Sequence, residues 1–148
     1  TLTKIFRDDI IINIGDKMWK DWIKEWFPTI SYDHVFISYL PNKDRNEKEF
    51  DVEPWETKAL QIQGRLFRGA TSYPSRGSYR KIAIKGSITS GVMLEKTRMV
   101  VSFVIEREFT PQALKEITDF LKGFGIKTNQ EAVAFVVDGE MYYIEIKK

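Results

Sequence analysis

The sequence has 148 residues, a formal net charge of +2 and no cysteine, and 14% of its residues are aromatic. The lack of cysteine excludes disulfide bonds, thiolate metal sites and a cysteine nucleophile. The longest apolar stretches are far shorter than the roughly 20 residues of a membrane-spanning helix. We therefore expect one ordered α+β domain over residues 1–148, a cytoplasmic location and no membrane partner.

The N-terminal third of the chain predicts a strand, a helix and a second strand. Asp9–Ile14 is a short apolar stretch typical of a strand, and apolar residues recur at helical spacing in Lys17–Phe27. His34–Leu40 alternates apolar and polar residues, which favours a strand. Residues 41–56 are charged and contain two prolines, so we predict a long loop there. Trp55 in this loop is either a lid on the core or an exposed aromatic contact.

The middle of the chain has strand-like patterning. Thr57–Phe67 alternates apolar with polar residues, as expected for a half-buried antiparallel strand. Gly69–Ser78 contains Pro and Gly and predicts a turn, and Tyr79–Thr89 resumes the alternation. A tight turn then leads into Val92–Leu94, and Arg98–Arg107 is apolar on both faces, as in an interior strand.

The C-terminal third has the clearest local signals. A Thr-Pro pair precedes the periodic segment Pro111–Lys122, which predicts a capped helix, with Gly123 placed to end it. Ala132–Val137 and Met141–Ile146 flank an Asp-Gly pair whose turn geometry suits paired strands. These segments predict a β-hairpin.

The order of the predicted elements indicates an α+β fold. It would be a mostly antiparallel sheet of about six to seven strands with two helices packed on one side. The β-α-β-like ends would form a ferredoxin-like layer around a β-rich insertion.

The charge distribution points to a polyanionic partner. Residues 57–109 carry ten basic and three acidic side chains, whereas residues 1–56 carry 8 basic and 12 acidic ones. A field of one sign over one surface concentrates polyanions there. Cations can meet phosphates, and flat rings can stack on unpaired bases. The predicted binding residues are Arg65, Arg68, Tyr73, Arg76, Tyr79, Arg80, Lys81 and Lys85.

These features predict a nucleic-acid-binding module, favouring single-stranded DNA or RNA over duplex. Motifs typical of hydrolases and of phosphate-binding loops are absent from the sequence, so a non-enzymatic role without metal or cofactor is favoured.

Two alternatives remain open at this stage. The first is a protein-interaction or assembly module of phage or defence-system type, in which the acidic N-terminal part of one copy meets the basic sheet of another in a homo-oligomer. The second is a Mg²⁺-dependent nuclease, in which Asp138 and Glu145 hold the metal and Lys147 steadies the attacking water.

Overall fold

The computed structural model describes residues 18–27, 30–81 and 91–147. The chain falls into two compact units, Thr1–Ser31 and Tyr32–Lys148. In the first unit, residues 18–26 form helix α1. The rings of Trp22 and Trp26 stack with centroids 5.6 Å apart, and Trp19 meets Trp22 edge-on at 5.4 Å. The predicted strand Asp9–Ile14 lies outside the described residues.

The second unit is an antiparallel five-stranded sheet with two helices. Along the chain the elements are β1 (His34–Pro41), α2 (Glu53–Phe67), β2 (Thr71–Arg80), β3 (Val92–Val104), α3 (Pro111–Lys127), β4 (Ala132–Val137) and β5 (Glu140–Glu145). The strand order is β2-β3-β1-β4-β5. The first six elements follow the β-α-β-β-α-β order of split β-α-β domains. The predicted α+β class is confirmed, but the described ranges contain five strands and three α-helices.

The largest departure from the sequence-based prediction is α2. The predicted strand Thr57–Phe67 is helical because its apolar residues also fit a helical period, with Ala59, Gln63 and Phe67 buried at intervals of four. The segment is rich in Ala, Leu, Gln and Arg, which favour helix. The helix begins at Glu53, so the predicted loop 41–56 is shorter than expected.

The predicted turn Gly69–Ser78 is also wrong, because most of it belongs to β2. This strand pairs with β3 along its whole length, from Thr71 opposite Val101 to Arg80 opposite Val92. Pro74 is tolerated because β2 is an edge strand, in which part of the N–H groups have no neighbouring strand to bond.

Two further segments of the middle region also differ from prediction. The predicted segments Val92–Leu94 and Arg98–Arg107 are parts of one longer strand, β3, which ends at Val104. Most of the predicted strand Tyr79–Thr89 lies outside the described residues.

The C-terminal elements agree best with the prediction. Helix α3 begins at Pro111, and the N–H of Ala113 donates to Thr110 Oγ1 at 3.1 Å. The helix continues through Gly123 to Lys127, so Gly123 does not end it. The β4–β5 hairpin is confirmed, with Asp138 and Gly139 of its turn at φ values of 49° and 85°.

Helices α2 and α3 cover one face of the sheet. The core between them and the sheet contains Phe36, Phe67, Val100, Ile117 and Phe124, all buried. Trp55, now on α2, packs on this core against rings of α3, so its ring serves as a lid. No helix within the described ranges combines the length and apolar composition needed to cross a bilayer.

A buried polar network joins α2 to the centre of the sheet. Ser38 Oγ donates to Gln63 Oε1 at 2.5 Å. Gln63 Nε2 donates to the Val100 carbonyl at 3.1 Å and to Ser102 Oγ at 3.0 Å. Ser102 Oγ in turn donates to the Gly69 carbonyl at 2.7 Å. The covered face therefore satisfies these buried polar groups internally.

Candidate functional site

The face of the sheet opposite α2 and α3 carries a cleft of about 230 Å³, which we term the open-face cleft. Successive residues of a strand point to opposite faces, so this face collects residues that alternate with the core positions. The cleft crosses the sheet from β2 to β5, between Gly77 and Tyr143. Its lining includes Tyr39, Gly77, Tyr79, Glu95, Met141 and Tyr143.

Glu95 is the ionisable group of β3 in this cleft. Its side chain is half-buried, and burial raises the pKa of the carboxyl group, with a smaller opposing effect from Lys43. Gly77 lies directly opposite on β2. A Cβ at Gly77 would lie 3.3 Å from Thr97 Oγ1 and 3.9 Å from Glu95 Oε1. The glycine therefore leaves space beside the carboxyl group.

A smaller recess of about 40 Å³ adjoins the open-face cleft and shares Tyr79 and Glu95 with it. We term it the polar recess. Its other lining residues include Arg45 and Glu131. Arg45 Nε and Glu131 Oε2 are buried and have no hydrogen-bond partner among the described residues. The recess thus presents an unpaired donor and an unpaired acceptor.

Tyr79 links the recess to the cleft. Burial raises the pKa of its phenol, and the charge of Glu131 and a hydrogen bond to it add to the shift. Tyr143 and Glu95 also raise the pKa of Tyr79 through their charges. These groups therefore share one electrostatic environment, as is common at functional sites.

Three of the cations predicted to bind nucleic acid are paired with carboxylates. Arg65 and Arg68 belong to α2 and its C-terminal end, on the covered side of the sheet. Lys81 follows β2 and lines the polar recess. The ion pairs are Arg65–Glu116, Arg68–Glu108 and Lys81–Glu47.

The remaining predicted residues lie on different surfaces. Tyr73 and Tyr79 of β2 are on the open face, and Tyr79 lines the cleft. Arg76 and Arg80 alternate with these positions and point to the opposite face. Lys85 lies outside the described residues. The structure therefore brings Tyr79 and Lys81 together but does not gather the arginines into one groove.

The sequence analysis missed Glu95, Arg45 and Glu131 as site residues. The charge count treated Glu95 only as one of the three acidic side chains of residues 57–109. In the structure Glu95 lies on the same face of β3 as Met93 and Thr97, both of which are buried. An acid in the buried register of a strand is unusual and marks a candidate site.

The proposed nuclease residues do not form a site. Asp138 lies in the β4–β5 turn, where its carboxylate accepts from Val35 N at 2.9 Å and lies 2.7 Å from His34 Nδ1. Glu145 is at the far end of β5, so the length of the hairpin separates the two carboxylates. Within the described ranges, no group of three or more His, Cys, Asp or Glu side chains could hold a metal ion.

Comparison with known proteins finds a shared fold at low sequence identity. No protein-family model matches the sequence, and no curated protein matches it. A structure of a phage SAM lyase in complex with S-methyl-5′-thioadenosine matches with a TM-score of 0.57 and 12% identity, over 80% of this chain and 94% of that chain. A structure of a phage SAM lyase in the apo state matches with a TM-score of 0.58 and 14% identity, over 82% and 97%.

These findings correct the functional prediction. The prediction of a non-enzymatic nucleic-acid-binding module is wrong, because both structures named above share the fold and are of an enzyme. The ion pairs of Arg65, Arg68 and Lys81 give the physical reason, since these cations already neutralise carboxylates of the chain. The nuclease alternative has no metal site among the described residues, and the homo-oligomer of the assembly alternative stays a prediction. The chain has the fold seen in a phage SAM lyase.

Proposed function

We propose that this protein is an enzyme that binds S-adenosylmethionine (SAM) in the open-face cleft and breaks a carbon–sulfur bond of this substrate. The observation that carries the proposal is the half-buried Glu95 carboxyl group in a cleft lined by tyrosines. The fold supports it, since a structure of this fold is a SAM lyase in complex with S-methyl-5′-thioadenosine.

The chemistry of the substrate matches the cleft. SAM carries a positive sulfonium between an adenosine and a methionine-derived chain. When the bond from sulfur to that chain breaks, its electron pair stays on sulfur, and the neutral product is S-methyl-5′-thioadenosine. No water is added to the departing chain, which either loses a proton from the neighbouring carbon to solvent or forms a ring by bonding to its own carboxylate oxygen. Either route balances the charge.

Glu95 is suited to hold the sulfonium. A nearby positive charge favours the ionised carboxylate and opposes the effect of burial on the pKa of Glu95. The ligand would therefore bind more tightly as the pH rises through that pKa. The rings of Tyr39 and Tyr143 offer apolar faces for the adenine, and stacking of a base on an aromatic side chain contributes about 1–3 kcal/mol.

Turnover of SAM tests the proposal. The purified full chain is incubated with SAM, and S-methyl-5′-thioadenosine is measured by chromatography. We expect product above the protein-free rate and a fall of about 100-fold or more in Glu95→Gln, because a charged group in the site is lost.

Glu140→Gln is the matched control, since Glu140 is on β5 and does not line the cleft. It should keep the wild-type rate. No product and no binding of SAM or S-methyl-5′-thioadenosine by the wild-type chain would overturn the proposal.

A further inference from the structure

Two residues that line the polar recess each have a buried atom without a hydrogen-bond partner among the described residues. Arg45 Nε is a donor and Glu131 Oε2 is an acceptor, and both atoms belong to residues that line the recess. Buried polar groups in native proteins are normally hydrogen-bonded, so an unsatisfied pair of opposite character needs an explanation. A bound polar group would supply it.

Arg45 and Glu131 are both anchored by hydrogen bonds to the surrounding chain. Arg45 Nη2 donates to the Gln130 carbonyl, and the Arg45 backbone N–H donates to the Asn129 carbonyl at 3.0 Å. The Glu131 carbonyl accepts from Ile146 N at 2.9 Å, and the Glu131 carboxylate lies close enough to the Tyr79 phenol to raise the pKa of Tyr79. The unsatisfied atoms are therefore pre-positioned for a ligand.

The size and charge of the recess restrict what fits. Its volume of about 40 Å³ corresponds to about three water-sized groups, too small for a ring system. An anion alone would be opposed by Glu131, and a cation alone by Arg45. A zwitterion satisfies both, because its carboxylate can accept from the arginine and its ammonium can donate to the glutamate.

We propose that the polar recess binds the α-amino and α-carboxylate groups of the substrate, with Arg45 on the carboxylate and Glu131 on the ammonium. This assignment rests on the proposed function. The recess and the open-face cleft share Tyr79 and Glu95, so one ligand can span both. Its adenosine lies in the cleft, its sulfur beside Glu95 and its amino-acid end in the recess.

Calorimetric titration with two thioethers isolates this contribution. S-adenosylhomocysteine has the amino-acid end, S-methyl-5′-thioadenosine lacks it, and neither carries a sulfonium. Wild-type protein should bind S-adenosylhomocysteine at least about 30-fold more tightly than S-methyl-5′-thioadenosine, which is the contribution expected of one buried charged pair. Arg45→Met and Glu131→Gln should each weaken the binding of S-adenosylhomocysteine by about tenfold or more. The affinity for S-methyl-5′-thioadenosine should change by less than about twofold.

Arg76→Met is the matched control, because Arg76 points to the opposite face of β2. It should leave both affinities unchanged. If wild-type protein binds the two thioethers equally, or if the variants weaken both alike, the recess assignment is wrong while the proposed function stands. If wild-type protein binds neither, the proposed function fails together with the assignment. Should Arg45→Met not fold, Glu131→Gln and the wild-type affinity ratio decide.

Discussion

The two faces of the sheet differ in how their buried polar groups are paired. The covered face buries an apolar core, and its Gln63 side chain is bonded to Ser38, Val100 and Ser102. The open face carries Glu95 and Tyr79, whose pKa values are raised by burial, beside the unsatisfied atoms of the polar recess. Satisfied polar groups stabilise a fold, whereas unsatisfied and perturbed ones mark a functional site. Substitutions on the two faces should therefore have different consequences.

The largest effect on stability is expected at Gln63. Gln63→Met keeps the shape of the side chain but leaves the Ser38 hydroxyl and the Val100 carbonyl without this partner. The free energy of unfolding should fall by about 2–4 kcal/mol, because buried polar groups become unsatisfied. Urea denaturation measures it.

Gln61→Met is the control for that substitution, since Gln61 is exposed on the same helix. Its effect should stay within about 0.5 kcal/mol. Equal losses in the two variants would show that the buried network does not stabilise the covered face.

Two glycines of α3 provide the next comparison. A Cβ at Gly125 would lie 2.6 Å from Ile146 Cδ1 and 2.7 Å from Val133 Cγ2, whereas one at Gly123 would meet nothing within 4 Å. Gly125→Ala should lower the free energy of unfolding by about 1–3 kcal/mol through overpacking. Gly123→Ala should raise it by about 1 kcal/mol, because alanine favours helix. Thermal unfolding of both variants checks the pair, and a stabilising Gly125→Ala would contradict this packing.

Glu95 on the open face should lower the stability of the fold at neutral pH. Its pKa in the folded protein is raised, so its contribution to stability is fully present below the ordinary value of 4.5 and is lost as the pH rises through the folded value. Glu95→Gln should therefore melt at a higher temperature than wild type at neutral pH and at a similar temperature in acid. Melting curves across pH test this, and a Glu95→Gln variant that is less stable at neutral pH would refute it.

The smallest effect concerns His34, at the edge of the covered face. Hydrogen bonds to Glu106 and Asp138 raise the pKa of His34, and the contact with His34 lowers that of Asp138. Protonated His34 thus stabilises the fold below its ordinary pKa of 6.5, and this contribution is lost as the pH rises through the folded value. Urea denaturation should show wild-type stability falling over this range more than that of His34→Gln. Parallel curves would contradict the ion-pair role.

The sequence predicted the elements whose ends depend on local chemistry. Helix α3 begins at a Thr-Pro pair and the β4–β5 hairpin turns at an Asp-Gly pair, and both signals act within a few residues. Helix α2 was missed because its apolar residues fit both a strand and a helix period, and only packing on the core decides between them. Strand β2 was missed because Pro74 and Gly77 are typical of turns.

The site residues could not be predicted from the sequence, for a different reason. Glu95 becomes distinctive only when pairing of β2 with β3 places it opposite Gly77. Arg45 and Glu131 come from segments far apart in the chain and meet only in the folded polar recess. Charge counting could find the basic block but could not reveal that Arg65, Arg68 and Lys81 pair with acids.

Binding of S-methyl-5′-thioadenosine to wild type and to Gly77→Val tests most directly whether the open-face cleft is the ligand site. Valine is well tolerated in strands, but its methyl groups would fill the space beside Thr97 and Glu95. Calorimetry should show binding by wild type, a loss of about tenfold or more in Gly77→Val, and no loss in the control Gly69→Ala, where a Cβ meets nothing within 4 Å. Equal affinities for wild type and Gly77→Val, or no binding by wild type, would contradict the account.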